Sequence, residues 1–448
     1  MKTHNYDHLG QTFVKYVSSN VLAMIGLSCY ILADTFFVAN GLGAKGLAAL
    51  NLALPIFNII FGIGLMIGMG SATKYTILNV MNEKEKANHY FTQALFTSLF
   101  FSILFVLAGI FCTKEISLML GSDQSTLDYT MIYLRTVMSF APMFCMNHFM
   151  LCFVRNDGNP KLAMYATLAG SFANIIFDYI FIFPMKLGMF GAALATGMSP
   201  IVGLLIMSYH VITGHNQFHL RRIKFDLNVF WDTIKLGFSS FINEISTGVV
   251  IFVFNIIILK LSGTIGVAAY GVVANIALVI TSLFTGIGQG IQPLISYYHG
   301  KNDKHNVKKT YHYALLTALC LGVVSYVLIC VFREPLIAAF NKENSRQLAE
   351  IAKVGIVLYF IGFIPSGFNV VSSFYMTSSE QASKGLVISV LRGLVFIVMF
   401  AVVLSMLFGM TGVWLSFPSA EILTAVVAGY FCVNKQGVEH EKNRNCGR

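Results

Sequence analysis

The sequence predicts an all-α polytopic membrane protein, with twelve transmembrane helices in two six-helix bundles related by pseudo-two-fold symmetry. Its 448 residues are 56% hydrophobic and only 11% charged, and the mean hydropathy is +0.71. Soluble domains contain about 25% charged residues, so this composition is typical of a chain that lies mostly in lipid. An internal repeat, described below, predicts the two bundles.

Twelve apolar segments separated by short polar loops predict the transmembrane helices. A bilayer core about 30 Å thick needs about 20 residues of helix, and each segment can supply them. Pro55, Pro142, Pro293 and Pro365 lie inside predicted helices and are expected to produce kinks. The predicted spans are residues 14–40, 47–76, 90–112, 127–154, 161–184, 189–212, 233–260, 265–298, 309–332, 349–378, 384–408 and 411–434.

The net charge of +10 orients the chain. One set of predicted loops carries most of the cations, so the positive-inside rule places these loops and both termini in the cytoplasm. No groove-sized basic patch with interleaved aromatic residues occurs, and nucleic-acid binding is not expected. The cations of this set are Lys84, Lys86, Arg155, Lys161, Arg221, Arg222, Lys224, Lys301, Lys304, Lys308, Lys309 and Lys384.

Several other patterns suggest no special chemistry. The eight cysteines lie mostly in apolar helices without metal-ligand spacing, so disulfide and zinc roles are not expected. The polar opening MKTHNYDHLGQ lacks a small-residue cleavage pattern, and we expect the first helix to remain in the chain. GIGLMIGMG and GIGQGIQP lie inside predicted membrane helices, where glycines at this spacing favour close helix packing rather than phosphate binding.

The chain contains two copies of a six-helix pattern. GLGAKGLAAL aligns with LSGTIGVAAY, and Gly43 then meets Gly263 at a shift of 220 residues. Asn82 meets Asn302 at the same shift, and GMFGAALA later matches GMTGVWLS. The repeat predicts an N-terminal lobe at 1–212, a cytoplasmic linker loop at 213–228, and a C-terminal lobe with a short cytoplasmic tail at 229–448.

Two parallel repeats of this kind favour a transporter. Such repeats can rock against each other around a central cavity, which produces alternating access in many secondary transporters. A duplicated membrane scaffold or a channel is the alternative interpretation.

Two aspartates at membrane depth are the most informative polar residues. A charge there costs roughly 2.5–3.5 kcal/mol on insertion scales, so it indicates a function. Asn174 precedes Asp178 by four residues, and Tyr30 precedes Asp34 by four, so each pair shares a helix face. If the two carboxylates approach each other, one would hold a proton, or the pair would bind a cation. The alternative for Asp34 is that it only caps a helix end.

These residues lie in motifs that resemble the MATE (multidrug and toxic compound extrusion) transporters. The motifs are DTFFVANGLG followed by GLAALN, then FVRNDGNPKLAM, NIIFDYIF and GMFGAALAT, and the similarity runs through about residues 12 to 434. The resemblance implies two six-helix bundles facing a large central cavity. It also implies export of cationic or amphipathic compounds in exchange for protons or sodium ions.

The resemblance also assigns candidate residues. It implies H⁺ or Na⁺ coupling at a first-half site, with Na⁺ held by Asp34, Asn174, Asp178 and Thr196. Its other members would be tyrosines on helices one and four and an asparagine on helix four. These further residues are Tyr30, Tyr133 and Asn147.

The second half departs from one branch of that family. Glu244 matches a helix-seven glutamate of the NorM branch, but FIPSGFNVVSSFYM on helix ten has no acid, and Asn369 is its nearest polar candidate. The chain therefore looks closer to the DinF branch and the smaller bacterial multidrug exporters. We expect Glu244, Asn369, Met66 and Met69 to contact substrate in the cavity. A helix-packing role for Glu244, through Ser246 or a backbone carbonyl, is the alternative.

The sequence thus predicts a secondary active antiporter in the plasma membrane of a bacterium, acting as a monomer on lipophilic cations and surrounded by membrane lipids. No organic cofactor is expected. A flippase for lipid-linked precursors, of the same superfamily, is the runner-up. Neither a nucleophile/base pair nor an HExxH motif is present, so an intramembrane enzyme is not expected.

Overall fold

The computed structural model describes residues 8–341 and 345–445, with side chains up to residue 433. The predicted cytoplasmic location of both termini concerns residues 1–7 and 446–448. These residues lie outside the described residues. The helices are α1 Leu9–Val80, α2 Lys84–Phe111, α3 Thr113–Met119, α4 Leu127–Ser139, α5 Ala141–Asn156, α6 Pro160–Ile182, α7 Gly188–Ile212, α8 Leu227–Gly300, α9 Lys304–Val331, α10 Arg333–Phe340, α11 Arg346–Phe360, α12 Phe363–Ser378, α13 Ala382–Val390 and α14 Phe396–Asn445, with a π-helical turn Leu391–Val395 before α14.

Three of the long helices are each interrupted by one glycine. Gly43 in α1 has φ 68° and ψ −162°, Gly263 in α8 has φ 63° and ψ −158°, and Gly409 in α14 has φ 57° and ψ −133°. These backbone angles are almost restricted to glycine. Each glycine therefore ends one predicted span and allows the next to begin at once.

Two further spans are bent pairs of helices. α4 and α5 meet at 48°, and α11 and α12 meet at 46°. Pro142 and Pro365 lie in the first turns of α5 and α12, which confirms the kinks predicted for these two prolines. In the described part of the chain, nine apolar stretches can cross a membrane, and the three interrupted by glycine each contain two predicted spans. The all-α polytopic prediction is confirmed, although the short α3 and α10 were not anticipated.

The repeat is visible in the backbone. Gly43 and Gly263 share one unusual conformation, and Asn82 and Asn302 both have positive φ, at 63° and 55°. Non-glycine residues seldom adopt positive φ, although asparagine is enriched among those that do. The same backbone conformations therefore recur at positions that the sequence repeat aligns.

Contacts divide the chain into two compact units. The first contains residues up to Gly248 together with Thr285–Thr310, and the second contains Val249–Phe284 and the chain from Tyr311 onward. The lobes predicted at 1–212 and 229–448 follow the repeat rather than these contacts, and their boundary remains a prediction.

In the first unit, α1 and α6 lie side by side and run in the same direction. A Cβ on Gly26 would collide with the side chain of Leu168, and one on Gly41 would collide with that of Ile182. The residue numbers of both partners increase together from the first contact to the second, so the two helices are parallel. The absence of a side chain at both glycines lets the helices approach closely.

The second part of α8 also packs closely against α1. A Cβ at Gly286 would lie 2.7 Å from Cα of Val21, and one at Gly290 would lie 2.8 Å from Cα of Val17. Residues four apart share a face of each helix, so two glycines meet two valines along one line of contact. The GIGQG glycines thus serve helix packing, as predicted.

The linker of residues 213–228 is fixed to α2. Phe218 is buried among Phe91, Phe153 and Tyr75. Three backbone N–H groups of the linker donate to side chains of α2. The pairs are His219 to Asn88 Oδ1 (2.7 Å), Arg221 to Thr92 Oγ1 (3.1 Å) and Asp226 to Gln93 Oε1 (3.0 Å).

The second unit has an aromatic core. Trp414 is 1% exposed, and a Cβ on Gly355 would lie only 2.8 Å from its ring. Tyr359 stacks on Phe417 with ring centroids 4.5 Å apart. Flat rings packed on a glycine and on each other thus join α11 to α14.

Candidate functional site

The site centres on two buried carboxyl groups carried by α1 and α6. Asp34 is 7% exposed and Asp178 is fully buried. Their side chains lie within hydrogen-bonding reach of each other. An ionised carboxylate only accepts hydrogen bonds, so the contact becomes a hydrogen bond when one of the two groups carries a proton. The predicted approach of the two acids is therefore present in the structure.

Asn174 joins this pair from one helical turn below Asp178. With the amide assigned from its hydrogen bonds, Nδ2 donates to Asp178 Oδ2 at 3.0 Å and Oδ1 accepts from the Thr196 backbone N–H at 3.2 Å. The side chain of Asn174 thus links α6 to α7.

Thr196 brings a hydroxyl and a backbone carbonyl to the same place. Its Oγ1 donates to the carbonyl of Ala192 at 3.0 Å, and its hydroxyl also shares a hydrogen bond with Tyr133. Pro200, four residues later in α7, has no N–H to donate to the Thr196 carbonyl. That carbonyl lacks its usual helical partner.

The two predicted tyrosines border the carboxyl pair. Tyr133 on α4 and Tyr30 on α1 are 3% and 7% exposed, and both interact electrostatically with Asp34 and Asp178. Asp34 lies one helical turn from Tyr30, which confirms that they share a face. The rings bury the site, and their hydroxyls supply polar atoms at its edge.

Oδ1 of Asp34 and Oδ1 of Asp178 remain without a hydrogen-bond partner among the described residues. A buried oxygen left unpaired costs about 1–3 kcal/mol, and more when it is charged. A proton or a cation that interacts with these oxygens would remove that cost. The arrangement can therefore change its charge by binding a small cation.

Asn147 is placed elsewhere on α5. Its Oδ1 points at Gly203 of α7, where a Cβ would lie 2.6 Å away. Gly203 is about two helical turns beyond Thr196. Among the described residues, no contact joins Asn147 to the carboxyl pair, and its part in ion coupling stays a prediction.

Glu244 on α8 lies at the border of the site. It is half-buried, its Cβ would be 3.4 Å from a Cβ on Gly62, and its charge interacts with Tyr30. The hydroxyl of Ser246 donates its proton to the carbonyl of Ile242 at 2.6 Å. The hydrogen bond considered between Ser246 and Glu244 is therefore not formed.

Met66 and Met69 lie inside the first unit. Met69 is 1% exposed and its sulfur is 3.3 Å from Nη2 of Arg155, while the backbone of Met66 lies directly against Gly237. Contact of either side chain with a substrate stays a prediction.

The MatE family profile matches residues 20–180 and 240–403. The chain belongs to the MatE family. As the resemblance implied, it is a member of a transporter family and not an enzyme.

Relatives of this MatE chain span almost its whole length. Multidrug export protein MepA of Staphylococcus saprophyticus is 26% identical over 407 residues, which are 89% of this chain and 88% of that protein. MepA of Staphylococcus aureus is 24% identical with the same coverage. A solved structure of an outward-facing multidrug resistance MATE family transporter of the MOP superfamily has a TM-score of 0.89 at 22% identity, with 96% of each chain covered. This likeness establishes the MATE fold.

The second unit of the MatE chain holds an ion pair between a partly buried arginine and a buried glutamate, which was not predicted from the sequence. Arg392 Nε donates to Glu421 Oε1 at 2.6 Å, and Arg392 Nη2 donates to Ser366 at 2.9 Å. Asn369 donates to Glu421 Oε2 at 2.7 Å and to its backbone carbonyl at 2.8 Å. The helix α12, which carries FIPSGFNVVSSFYM, has no acid, but α14 supplies one to Asn369. The sequence signal for this ion pair was a cation and an acid in two successive apolar helices.

Arg155 was assigned to a cytoplasmic loop, and this is wrong. It belongs to α5 and is 3% exposed. Nη1 donates to Asn20 Oδ1 at 2.7 Å and to Gln289 Oε1 at 2.8 Å. The positive-inside rule considers only the position of a cation in the sequence and gives no information on its burial.

A hydrogen-bonded polar layer continues beside Arg155. Thr76 donates to Asn156 Oδ1 at 2.7 Å, and Asn156 donates to Gln292 Oε1 at 2.8 Å. Gln292 then donates to Thr73 at 3.1 Å. These side chains join α1, α5 and α8 within the first unit. Among the described residues, no group of three or more His, Cys, Asp or Glu could hold a metal ion.

Proposed function

We propose that this MatE chain is a secondary active antiporter that exports cationic or amphipathic compounds in exchange for H⁺ or Na⁺ by alternating access. Its relatives in Staphylococcus are named multidrug export proteins. The observation that carries the proposed coupling is the buried contact between Asp34 and Asp178, each with one unpaired oxygen.

Proton coupling follows from the repulsion between the two acids. When the pair holds a proton, the carboxyl groups share it and α1 can remain close to α6. When the proton leaves, two negative charges face each other in a site of low dielectric and repel strongly. The charge state of the pair thus favours one arrangement of α1 against α6 over another.

Sodium coupling would use the same oxygens. A half-turn of the Asn174 amide would present Oδ1 instead of Nδ2 to Asp178. Carboxylate, amide carbonyl and hydroxyl oxygens are the ligands that hard cations take in proteins. Asp34, Asn174, Asp178 and Thr196 would then hold Na⁺, and the free Thr196 carbonyl would add a further oxygen.

The transport cycle follows from ion loading. In an outward-facing state the ion binds at Asp34 and Asp178, the first bundle rearranges, and substrate leaves. In an inward-facing state the ion is released and substrate binds, with Glu244 offering a negative charge to a cationic compound. The chain acts as a monomer in a bacterial plasma membrane with both termini in the cytoplasm, and it requires no organic cofactor.

Efflux of a fluorescent lipophilic cation from proteoliposomes tests the proposal. A pH gradient and a Na⁺ gradient are imposed separately on the wild type, Asp34→Asn and Asp178→Asn. Asp123→Asn is the matched control, because Asp123 lies in the exposed loop between α3 and α4. We expect one gradient to drive efflux in the wild type and the control, and Asp34→Asn to abolish it.

Two results would contradict the proposal. If neither gradient moves the dye, flipping of lipid-linked precursors becomes the better account. If Asp34→Asn transports normally, Asp34 has a capping role and the coupling site lies elsewhere. Thermal unfolding of each variant shows whether a loss of transport reflects a loss of folding.

A further inference from the structure

An open groove of about 520 Å³, lined by more apolar than polar surface, lies between the first turns of α1 and α6. It is far from the carboxyl pair, because Lys15 and Asp34 are separated by roughly 28 Å of helix at 1.5 Å per residue. The polar side chains that line it are Gln11, Lys15, Ser18, Ser19 and Lys161.

Two cations face each other across this groove. Lys15 and Lys161 are both exposed, and their charges are close enough to repel. Each ammonium group has three hydrogen-bond donors and no acceptor, so the pair suits an anion with several oxygens. Gln11 and Ser18 lie on the same face of α1 as Lys15 and add neutral donors.

The start of α6 adds to the positive potential. Lys161 follows Pro160 at the first turn of this 23-residue helix, where the helix dipole is positive. The side chain of Asn159 accepts the Leu162 N–H at 3.2 Å. The groove therefore combines two full charges with the partial charge of a helix terminus.

Apolar surface continues from the groove along both helices. On α1, Val14 and Leu22 are 62% and 50% exposed, and on α6, Tyr165 and Phe172 are 56% and 66% exposed. In a membrane-spanning helix such residues face acyl chains. An anion bound between Lys15 and Lys161 would therefore lie directly beside hydrocarbon.

We propose that the groove between α1 and α6 binds the phosphate headgroup of an anionic phospholipid, whose acyl chains lie along the exposed faces of the two helices. A free phosphate would use only the polar groups of the groove. The apolar faces favour the lipid, because they add contacts that a soluble anion cannot make. This inference does not depend on the proposed antiport.

Binding of phosphatidylglycerol to the full-length protein tests the proposal. Native mass spectrometry of detergent-purified protein gives the apparent Kd of the first bound lipid, with phosphatidylcholine as the neutral comparison. A lysine near an anionic lipid contributes about 1 kcal/mol, so Lys15→Ala combined with Lys161→Ala should weaken binding about thirtyfold, since about 1.4 kcal/mol corresponds to tenfold.

The matched control removes two other exposed lysines from the same predicted membrane side. Lys84→Ala with Lys224→Ala changes the net charge equally but leaves the groove intact, and we expect its Kd to equal that of the wild type. Lys15→Arg with Lys161→Arg should retain binding. Unchanged thermal unfolding verifies that all variants are folded.

Three results would overturn the proposal. The first is equal weakening in the groove variant and the control, which would show only a general charge effect. The second is equal affinity of wild type for phosphatidylglycerol and phosphatidylcholine. The third is displacement of the lipid by soluble glycerol phosphate at the same concentration, which would assign the groove to a free anion.

Discussion

Replacing Gly290 by alanine should loosen the packing of α8 against α1. A Cβ at this position would lie 2.8 Å from Cα of Val17 and 3.1 Å from the carbonyl oxygen of Tyr16. Ordinary contacts begin at 3.4 Å, so the helices must separate by about 0.6 Å. The neighbouring atoms belong to the backbone and cannot rotate away.

The magnitude follows from that separation. A gap of about 0.5–1 Å forfeits a quarter to a half of the dispersion energy of each affected contact. Overpacking of a close interface typically costs about 1–3 kcal/mol, or a factor of about 5 to 150 in the folding equilibrium. Gly286→Ala, four residues earlier, should have a similar effect.

Thermal unfolding in detergent measures this loss. A thiol-reactive fluorescent dye first labels the exposed Cys29, Cys112 and Cys320, and a further rise in signal reports unfolding when the buried Cys145 and Cys152 become accessible. Gly271→Ala is the control, because Gly271 lies in the same helix with open space around its Cβ position. Its Tm should stay constant or rise slightly, since alanine is the better helix former. Equal Tm values for Gly290→Ala and Gly271→Ala would refute the reasoning.

Three other substitutions have defined outcomes. Gly43→Ala should cost about 1–3 kcal/mol of folding free energy through backbone strain alone, because nothing lies near its Cβ position. Gly429→Ala, in regular helix, is the control and should be neutral. The Tm of each variant measures the effect. Glu421→Gln leaves Arg392 without its counter-charge and should destabilise the protein by about 3–5 kcal/mol. Replacing both residues by methionine should recover most of this loss in the same unfolding assay. Asp303 accepts the backbone N–H of Asn306 at the start of α9, and this hydrogen bond lowers the pKa of the carboxyl below its usual value. Its stabilisation is therefore present above the usual pKa and lost as the pH falls through the lowered one, so Asp303→Ala should cost about 1 kcal/mol at pH 7 and less in acid, as measured by unfolding at both pH values.

The carboxyl pair could be predicted from the sequence because its signals are local. Asp34 and Asp178 interrupt long apolar runs, and the four-residue spacing from Asn174 to Asp178 fixes a shared helix face. Only the parallel packing of α1 on α6, which depends on Gly26 and Leu168, brings the two acids together. The resemblance to the MATE family also implied that these residues form one site.

Other polar clusters could not be predicted because their members are far apart in the chain. Arg155 bonds Asn20 and Gln289, each more than 130 residues away. In the sequence it looks like a loop cation, since it follows a predicted span. Glu421 and Arg392 were visible as opposite charges in apolar helices, but no periodicity shows that Asn369 completes their cluster. In both clusters, helix packing determines which side chains come together, and the sequence pattern does not show it.

The linker on α2 has a practical consequence for protein engineering. The backbone N–H groups of His219, Arg221 and Asp226 donate to α2 side chains, so a tag or protease site placed in that stretch would break several hydrogen bonds at once. Gly214 precedes this stretch, has φ +65° and has nothing near its Cβ position. A reporter peptide inserted at Gly214 should disturb the hydrogen bonds between the linker and α2 less than one inserted after Arg221.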